Sequence, residues 1–482
     1  MKKTIFVIFA LLASTPLLAQ IDDDFDIHSD FQRFRDSIFN DFESFRRQAN
    51  EEFANFMKRP WVEEPVQPAV TPPEKPKPPI PVVVDPKARP TADPIPFNGK
   101  PLPPKPIDNP QPLEPIKLKP RPTDPSTTLY FFGTPMAFHL NAAKMPKLTN
   151  CYESGVSEMW SRLSEPYYDN VIAECLHYRE SNNLCDWAYV LLTKQFAEKC
   201  YGGETNEAVV LHFYLLTQSG YNVRIARANN NKLAVLLGSK EKLYRMEYLR
   251  LNDMDYYVID PTLKRMSYNI FNQAYPKEKT LSLAITQPKL SVAPTNERVI
   301  VSKRYSNIKA SVETNQNLID FYNTYPLSSE WYRYSNASLS PTAKECLYPV
   351  LRGAIKDKTE SQAANMLINF VQTGLQYQTD DQQFGYERPL FPDESLYYPY
   401  CDCEDRSILF SCLVRELLGL EVVLLHYPEH LATAVKFNEA VSGDYLMIDG
   451  EKYLICDPTY IGANIGMCMP SFKNTAPIVQ KM

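Results

Sequence analysis

Between Pro60 and Pro125 stand 23 of the chain's 41 prolines. Proline has a fixed φ and no backbone N–H, so this stretch can be neither a helix interior nor a central strand. Runs such as Pro76-Lys77-Pro78-Pro79 favour extended polyproline II at about 3.1 Å per residue. The stretch therefore reads as a semi-rigid spacer, ahead of a ligand for a proline-binding module. It splits the 482 residues into a short N-terminal piece and a globular part from about Thr128, long enough for two domains.

The N-terminal piece opens as a secretory signal. Lys2 and Lys3 supply the positive region, Ile5 to Leu18 contain the apolar run, and Ala19 fits a cleavage position. The apolar run is short for a membrane span, and no cysteine follows to carry a lipid. The expectation is a soluble, exported chain, periplasmic or extracellular. Next, Phe31, Phe34, Ile38, Phe42, Phe45, Ala49, Phe53 and Phe56 step by three or four, which predicts an amphipathic helix that Pro60 ends. Packing on its own chain, self-association and docking to a protein partner or a membrane surface are all open to it, though Asp and Glu on the polar face argue against an anionic membrane. A net charge of −6 with mixed signs gives no basic footprint for nucleic acid. In an exported chain, Cys151, Cys175, Cys185, Cys200, Cys346 and Cys468 are disulfide candidates.

The globular part repeats itself. An apolar helix around Trp187 to Leu192 precedes Gly203-Glu204-Thr205-Asn206-Glu207, as one around Met366 to Val371 precedes Asp402-Cys403-Glu404-Asp405. Gly220 then matches Gly419 where a helix end wants positive φ. Lys232-Leu233-Ala234 matches His430-Leu431-Ala432, and Asp260-Pro261-Thr262 matches Asp457-Pro458-Thr459. In the second copy, Glu421 to Tyr427, Leu431 to Phe437, Tyr445 to Ile448 and Lys452 to Cys456 alternate as strands. Asp449-Gly450 is a hairpin turn between the last two. The predicted class is α+β, each half a helix layer with an antiparallel sheet. The predicted divisions are a signal at 1–19, a helical segment at 20–58, a Pro-rich linker at 59–127, and domains at 128–290 and 291–482.

Chemistry gathers in the second copy. Cys403 falls at the start of a helix ending near Leu418, where unpaired N–H groups and the helix dipole favour a thiolate and can hold an oxyanion. His430 follows 27 residues later and Asp457 another 27, suiting a base and the group that orients it. Cys401 is the rival nucleophile and His426 the rival base. The first copy has Thr205, Lys232 and Asp260 at the corresponding places, a set without an activated nucleophile.

In order, Asp402-Cys403-Glu404-Asp405, His430 and Asp457-Pro458-Thr459 resemble the motifs of the transglutaminase-like superfamily, a branch of the papain-like cysteine enzymes. The resemblance spans about Ala343 to Gly466, and the first half more weakly. It implies two tandem transglutaminase-like (papain-like) domains, the second intact and the first degenerate. The implied activity is that of a cysteine peptidase, amidase or transglutaminase-type acyltransferase, with no cofactor. Its substrate would be a protein or peptide, cell-wall peptides included by location. Cys401 stands where the family usually has glycine, and His430 lacks the common Ala-Trp after it, which leaves the acyl acceptor open. Blander readings stand beside this one. Cys403 could be a core or disulfide cysteine, Asp457 a strand-ending turn residue, and Glu404 and Asp405 helix-start carboxylates. Zinc is set aside for want of a second spaced ligand pair. The alternative function is a non-catalytic binding or scaffold protein.

Overall fold

The computed structural model describes residues 27–71, 81–104, 109–118, 126–260, 262–263, 266–328 and 330–482. The segment 1–19 expected to be a signal and the Pro76 motif lie outside them. The Phe-striped helix runs Ile27–Met57. Its last turns bury Ala49, Phe53 and Met57 in the core of the first half. The Phe53 ring meets Trp160 at 4.8 Å and Tyr275 at 5.2 Å. For these turns, packing on its own chain is what occurs. No helix among the described residues is long and apolar enough to cross a membrane.

The architecture is mixed α+β, and its two large sheets are antiparallel throughout. The first sheet runs, edge to edge, Tyr248–Leu251, Met254–Val258, Leu233–Ser239, Val223–Ala228, Tyr268–Phe271 and Val62–Glu64. The second runs Tyr445–Ile448, Glu451–Cys456, His430–Lys436, Glu421–Tyr427 and Ile478–Lys481. The first five strands of each thus follow the same order. Each set is preceded by a helix, Asn206–Gln218 or Cys403–Leu418, that packs on an earlier helix, Asp186–Tyr201 or Glu360–Gly374.

Register agrees too. In the second sheet Tyr427 pairs with His430 across the hairpin, and Thr433 pairs with Cys456, so the next pair outward is Ala432 with Asp457. In the first sheet the Ala228 N–H bonds the Lys232 carbonyl at 2.8 Å, and Leu236 pairs with Val258. Counting back from that pair sets Ala234 opposite Asp260.

Strand residues alternate in what they cover, as a period of two requires. In the second sheet Val422, Val435 and Leu454 face the helices. Val423, Leu425, Ala432, Ala434 and Ile455 face the other way, into a cluster completed by Ile95 and Val479. Ile95 belongs to the Pro-rich stretch, and here the spacer reading is corrected. The Ile95 N–H bonds the Tyr445 carbonyl on one sheet edge at 2.7 Å, and the Leu102 N–H bonds the Val479 carbonyl on the other edge at 2.8 Å. The described stretch between them closes the sheet into a barrel-like form. Val62–Glu64 and Gln67 do the same for the first sheet, Gln67 meeting Tyr248 at 2.7 Å. Proline cannot contribute a ladder of N–H donors. It can cover an otherwise open edge with single bonds while excluding further strands.

All ten cysteines are free thiols, so the disulfide candidates form no bridge. The strap makes a stability prediction. Ile95→Ala removes a side chain 3 % exposed from the second barrel's interior. It should cost about 2–4 kcal/mol in chemical denaturation. A loss under about 0.5 kcal/mol, usual for a surface position, would restore the spacer reading.

Candidate active site

The helix Cys403–Leu418 starts where a short parallel pairing of Gln376–Tyr377 with Tyr400–Cys401 delivers the chain. Asp402 is its N-cap residue, and the Asp402 N–H bonds Asp405 Oδ2 at 3.1 Å. Gly419 ends it at φ 68°, a conformation costly for other residues. The first turn is buried entirely, from Asp402 to Ser407. Asp405 ties it to the preceding segment by accepting the Leu390 N–H at 2.8 Å. Burial, with the Asp402 and Glu404 carboxylates alongside, pushes the Asp405 carboxyl well above the usual range.

Cys403 is the first residue of this helix and is buried beside Trp331, Leu424 and Leu431. Its thiol donates to Glu404 Oε2 at 3.0 Å. One turn on, Ser407 Oγ donates to the Leu431 carbonyl at 2.9 Å. Residues four apart share a helix face, so the Cys403 face is the one laid against the start of the His430 strand.

His430 opens that strand at the hairpin end, and its Nε2 lies 2.8 Å from Asp457 Oδ2. The ring is sandwiched parallel to Phe472, 5.1 Å between centroids and 2° between planes. Phe472 also stacks on Tyr427 at 4.6 Å. Asp457 divides its two oxygens. Oδ2 takes the histidine, while Oδ1 accepts the N–H groups of Thr459 at 2.8 Å and Tyr460 at 3.2 Å. Asp457 is therefore a turn residue that also meets the histidine ring. His426 sits edge-on to Trp331 at 6.3 Å, and the Asp457 carboxylate goes to His430 instead. The rival thiol, Cys401, points at the Gln376 carbonyl at 3.6 Å, and burial pushes it up to about 11.

A residue absent from the sequence reading joins these parts. Gln372, on the helix Glu360–Gly374, is 2 % exposed. Its Nε2 donates to the carbonyls of Asp457, Tyr460 and Ala463 at 3.1, 2.8 and 3.1 Å. Its Oε1 accepts the Gly462 N–H at 3.2 Å. Arg406, three residues past the thiol, reaches the same helix's C-terminal end, bonding the Leu375 carbonyl at 2.9 Å. Trp331 and Gln372 lie well before the motif and Phe472 follows it, and only the Met366 to Val371 helix, already matched between the halves, hinted at Gln372.

In the first half the same frame holds different chemistry. Thr205 is the N-cap of its helix and accepts the Ala208 N–H at 3.2 Å. By position it matches Asp402, so the counterpart of Cys403 is Asn206, one residue later than expected. Asn206 bonds the Leu233 N–H at 2.8 Å and the Asn231 carbonyl at 3.1 Å. Lys232 is exposed at the hairpin end. Asp260 keeps its turn, accepting from the Thr262 N–H at 2.8 Å.

The fold also collects acidic groups that the linear spacing did not announce. Ligand atoms of Asp402, Cys403 and Glu404 lie within 4.8 Å of one another, as do those of Asp380, Asp402 and Asp405. With Asp380, Glu387 and Glu404, they are the groups among the described residues that could hold a cation. No family model matches the chain, and neither a curated protein nor a solved structure does.

Gln372→Leu keeps the volume and deletes four hydrogen bonds, stranding buried backbone groups. It should destabilise the protein by about 2–4 kcal/mol in urea titration. A midpoint equal to that of wild type would remove Gln372 from its central place.

Proposed function

We propose that the chain is a transglutaminase-like cysteine enzyme acting on amide or peptide bonds, with Cys403 as nucleophile, His430 as base and Asp457 as orienter. The observation that carries this reading is the buried 2.8 Å contact between His430 Nε2 and Asp457 Oδ2, at a hairpin end against the Cys403 helix face. With Nε2–H held by the carboxylate, the lone pair belongs to Nδ1, a tautomer inferred from the hydrogen bonding. Nδ1 takes the thiol proton as sulfur attacks the carbonyl carbon. The oxyanion is met by N–H groups at the helix start. The imidazolium returns its proton to the departing amine, and water or a second amine releases the acyl group from sulfur. Export and an extracytoplasmic protein or peptide substrate belong to the same proposal, supported by the N-terminal sequence.

A second reading has its own support. Cys403, His430 and Asp457 are 3 %, 4 % and 3 % exposed, and the thiol is engaged by a carboxylate. That is also what a non-catalytic scaffold would contain. Catalysis requires a substrate to reach this buried thiol, and it requires His430 to take a proton that the thiol donates to Glu404.

Thiol labelling separates the two readings. With iodoacetamide at pH 8, a thiol pushed up to about 11, as Cys401 is, is only about one part in a thousand thiolate. Cys403 should be alkylated at least about tenfold faster than Cys401, and His430→Ala should abolish the difference. Asp457→Asn should slow turnover of an amide substrate by about 10²–10⁴-fold, and Cys403→Ala should abolish it. Labelling of Cys403 that is no faster than that of Cys401 and indifferent to His430→Ala would reject the enzyme and leave the scaffold.

A further inference from the structure

In the first half lies a small pocket of about 40 Å³, open to solvent, bounded by the helices Asp186–Tyr201 and Asn206–Gln218 and by the starts and ends of the central strands. Asp260, the counterpart of Asp457, is in its wall, and so is Leu233, next to the counterpart of His430. Its sides are apolar, with Val209 and Ile259 among them.

Its polar groups are not those of a packed core. His212 lines the pocket and is 3 % exposed. Its ring bonds the Val190 carbonyl, and Nε2 has no hydrogen-bond partner among the described residues. Burial, with the Lys194 charge second, lowers the histidine to about 3, so the imidazole is neutral. A ring whose Nδ1–H is donated to a carbonyl offers an unsatisfied lone pair at Nε2. An unsatisfied buried acceptor costs about 1–3 kcal/mol, which a donor on a ligand would recover.

Charge selects the kind of donor. Lys194 is already paired with Glu198 and, at 3.1 Å, with Glu204. With Asp260 the four charged lining groups sum to −2, one cation against three carboxylates. An anion would meet repulsion here, and a neutral apolar group would leave Nε2 unsatisfied. A cation with several N–H donors on a methylene stem satisfies the carboxylates, the imidazole and the apolar walls together.

We propose that this pocket binds a primary alkylammonium group, as carried by a lysine side chain of a peptide, making the first half a recognition domain rather than only a packing partner. The site stands apart from the thiol chemistry, and its test reads binding alone.

The probes are n-pentylammonium and its neutral isostere 1-pentanol, neither of which has a carbonyl for a thiol to attack. Saturation-transfer NMR on the full chain gives the two affinities. The ammonium should bind at least about tenfold more tightly than the alcohol, and added salt should weaken it. Glu204→Gln, on a side chain 63 % exposed, and Asp260→Asn, which keeps an acceptor for the Thr262 turn, should each weaken the ammonium by about threefold or more without moving the alcohol. Both changes are mild enough for the fold to survive. His212→Gln should weaken both probes, because both donate to Nε2. Equal affinity for the two probes, or ammonium binding unmoved by both acidic variants, would overturn the proposal. Tighter binding of hexanoate than of the ammonium would overturn it by reversing the sign of the site.

Discussion

The second half is organised around one buried amide. The Gln372 side chain satisfies three carbonyls and one N–H in the loop that leaves Asp457. Its backbone carbonyl is within reach of Arg406 on the Cys403 helix at 3.4 Å. A loop that doubles back immediately after a central strand presents polar backbone groups to the interior, and each needs a partner. Gln372 meets the need with one side chain, and so ties the turn that carries the carboxylate to the helix Glu360–Gly374, against which the Cys403 helix packs. Such a network rigidifies when complete and is costly when partial. The aspartate is aimed at the histidine because its turn cannot relax.

A second constraint acts from outside. Two antiparallel sheets with open edges invite pairing with other chains. The Pro-rich stretch answers this by bonding both edges of each sheet, at Glu64 and Gln67 for the first and at Ile95 and Leu102 for the second. Its prolines make it unable to extend a ladder further, and its few apolar side chains, such as Ile95, fill the interiors it closes. Both halves are thereby tied to a single length of chain, which is a physical reason for them to persist together although only one keeps a thiol, a histidine and a carboxylate.

What could be read from sequence was local. The helix from Cys403 to Leu418, the strands Glu421–Tyr427 and Tyr445–Ile448, and the Asp449-Gly450 turn with both φ values positive follow from periodicity, capping and turn chemistry within a few residues. The recurring spacing of 27 became a hairpin register because helix and strand lengths are themselves set locally. What could not be read was everything joined across long separations. Thr91 bonds Asp444 from 353 residues away, and Gln372 bonds Ala463 from 91. Nothing in a proline-rich composition distinguishes a strap from a spacer, since both are extended chain. The one-residue slip between Thr205 and Asn206 has the same origin, because motif alignment does not see which residue caps the helix.

The two halves together also weigh the residues of the site unequally. Asp260 accepts the N–H of Thr262 just as Asp457 accepts that of Thr459, at 2.8 Å in each case. An Asp-Pro-Thr turn therefore holds its aspartate with no histidine to orient, and the presence of Asp457 by itself says little about catalysis. The discriminating residue is at the hairpin end. A lysine there is exposed in the first half, whereas His430 is buried, stacked on Phe472 and held through Nε2. Burying an imidazole at a hairpin end costs desolvation that an exposed lysine avoids. The Asp457 hydrogen bond and the Phe472 stack offset that cost only in the second half, where the Cys403 helix turn lies alongside. His430 and its supports are thus what the second half adds to the shared frame, and the proposed chemistry rests on that addition.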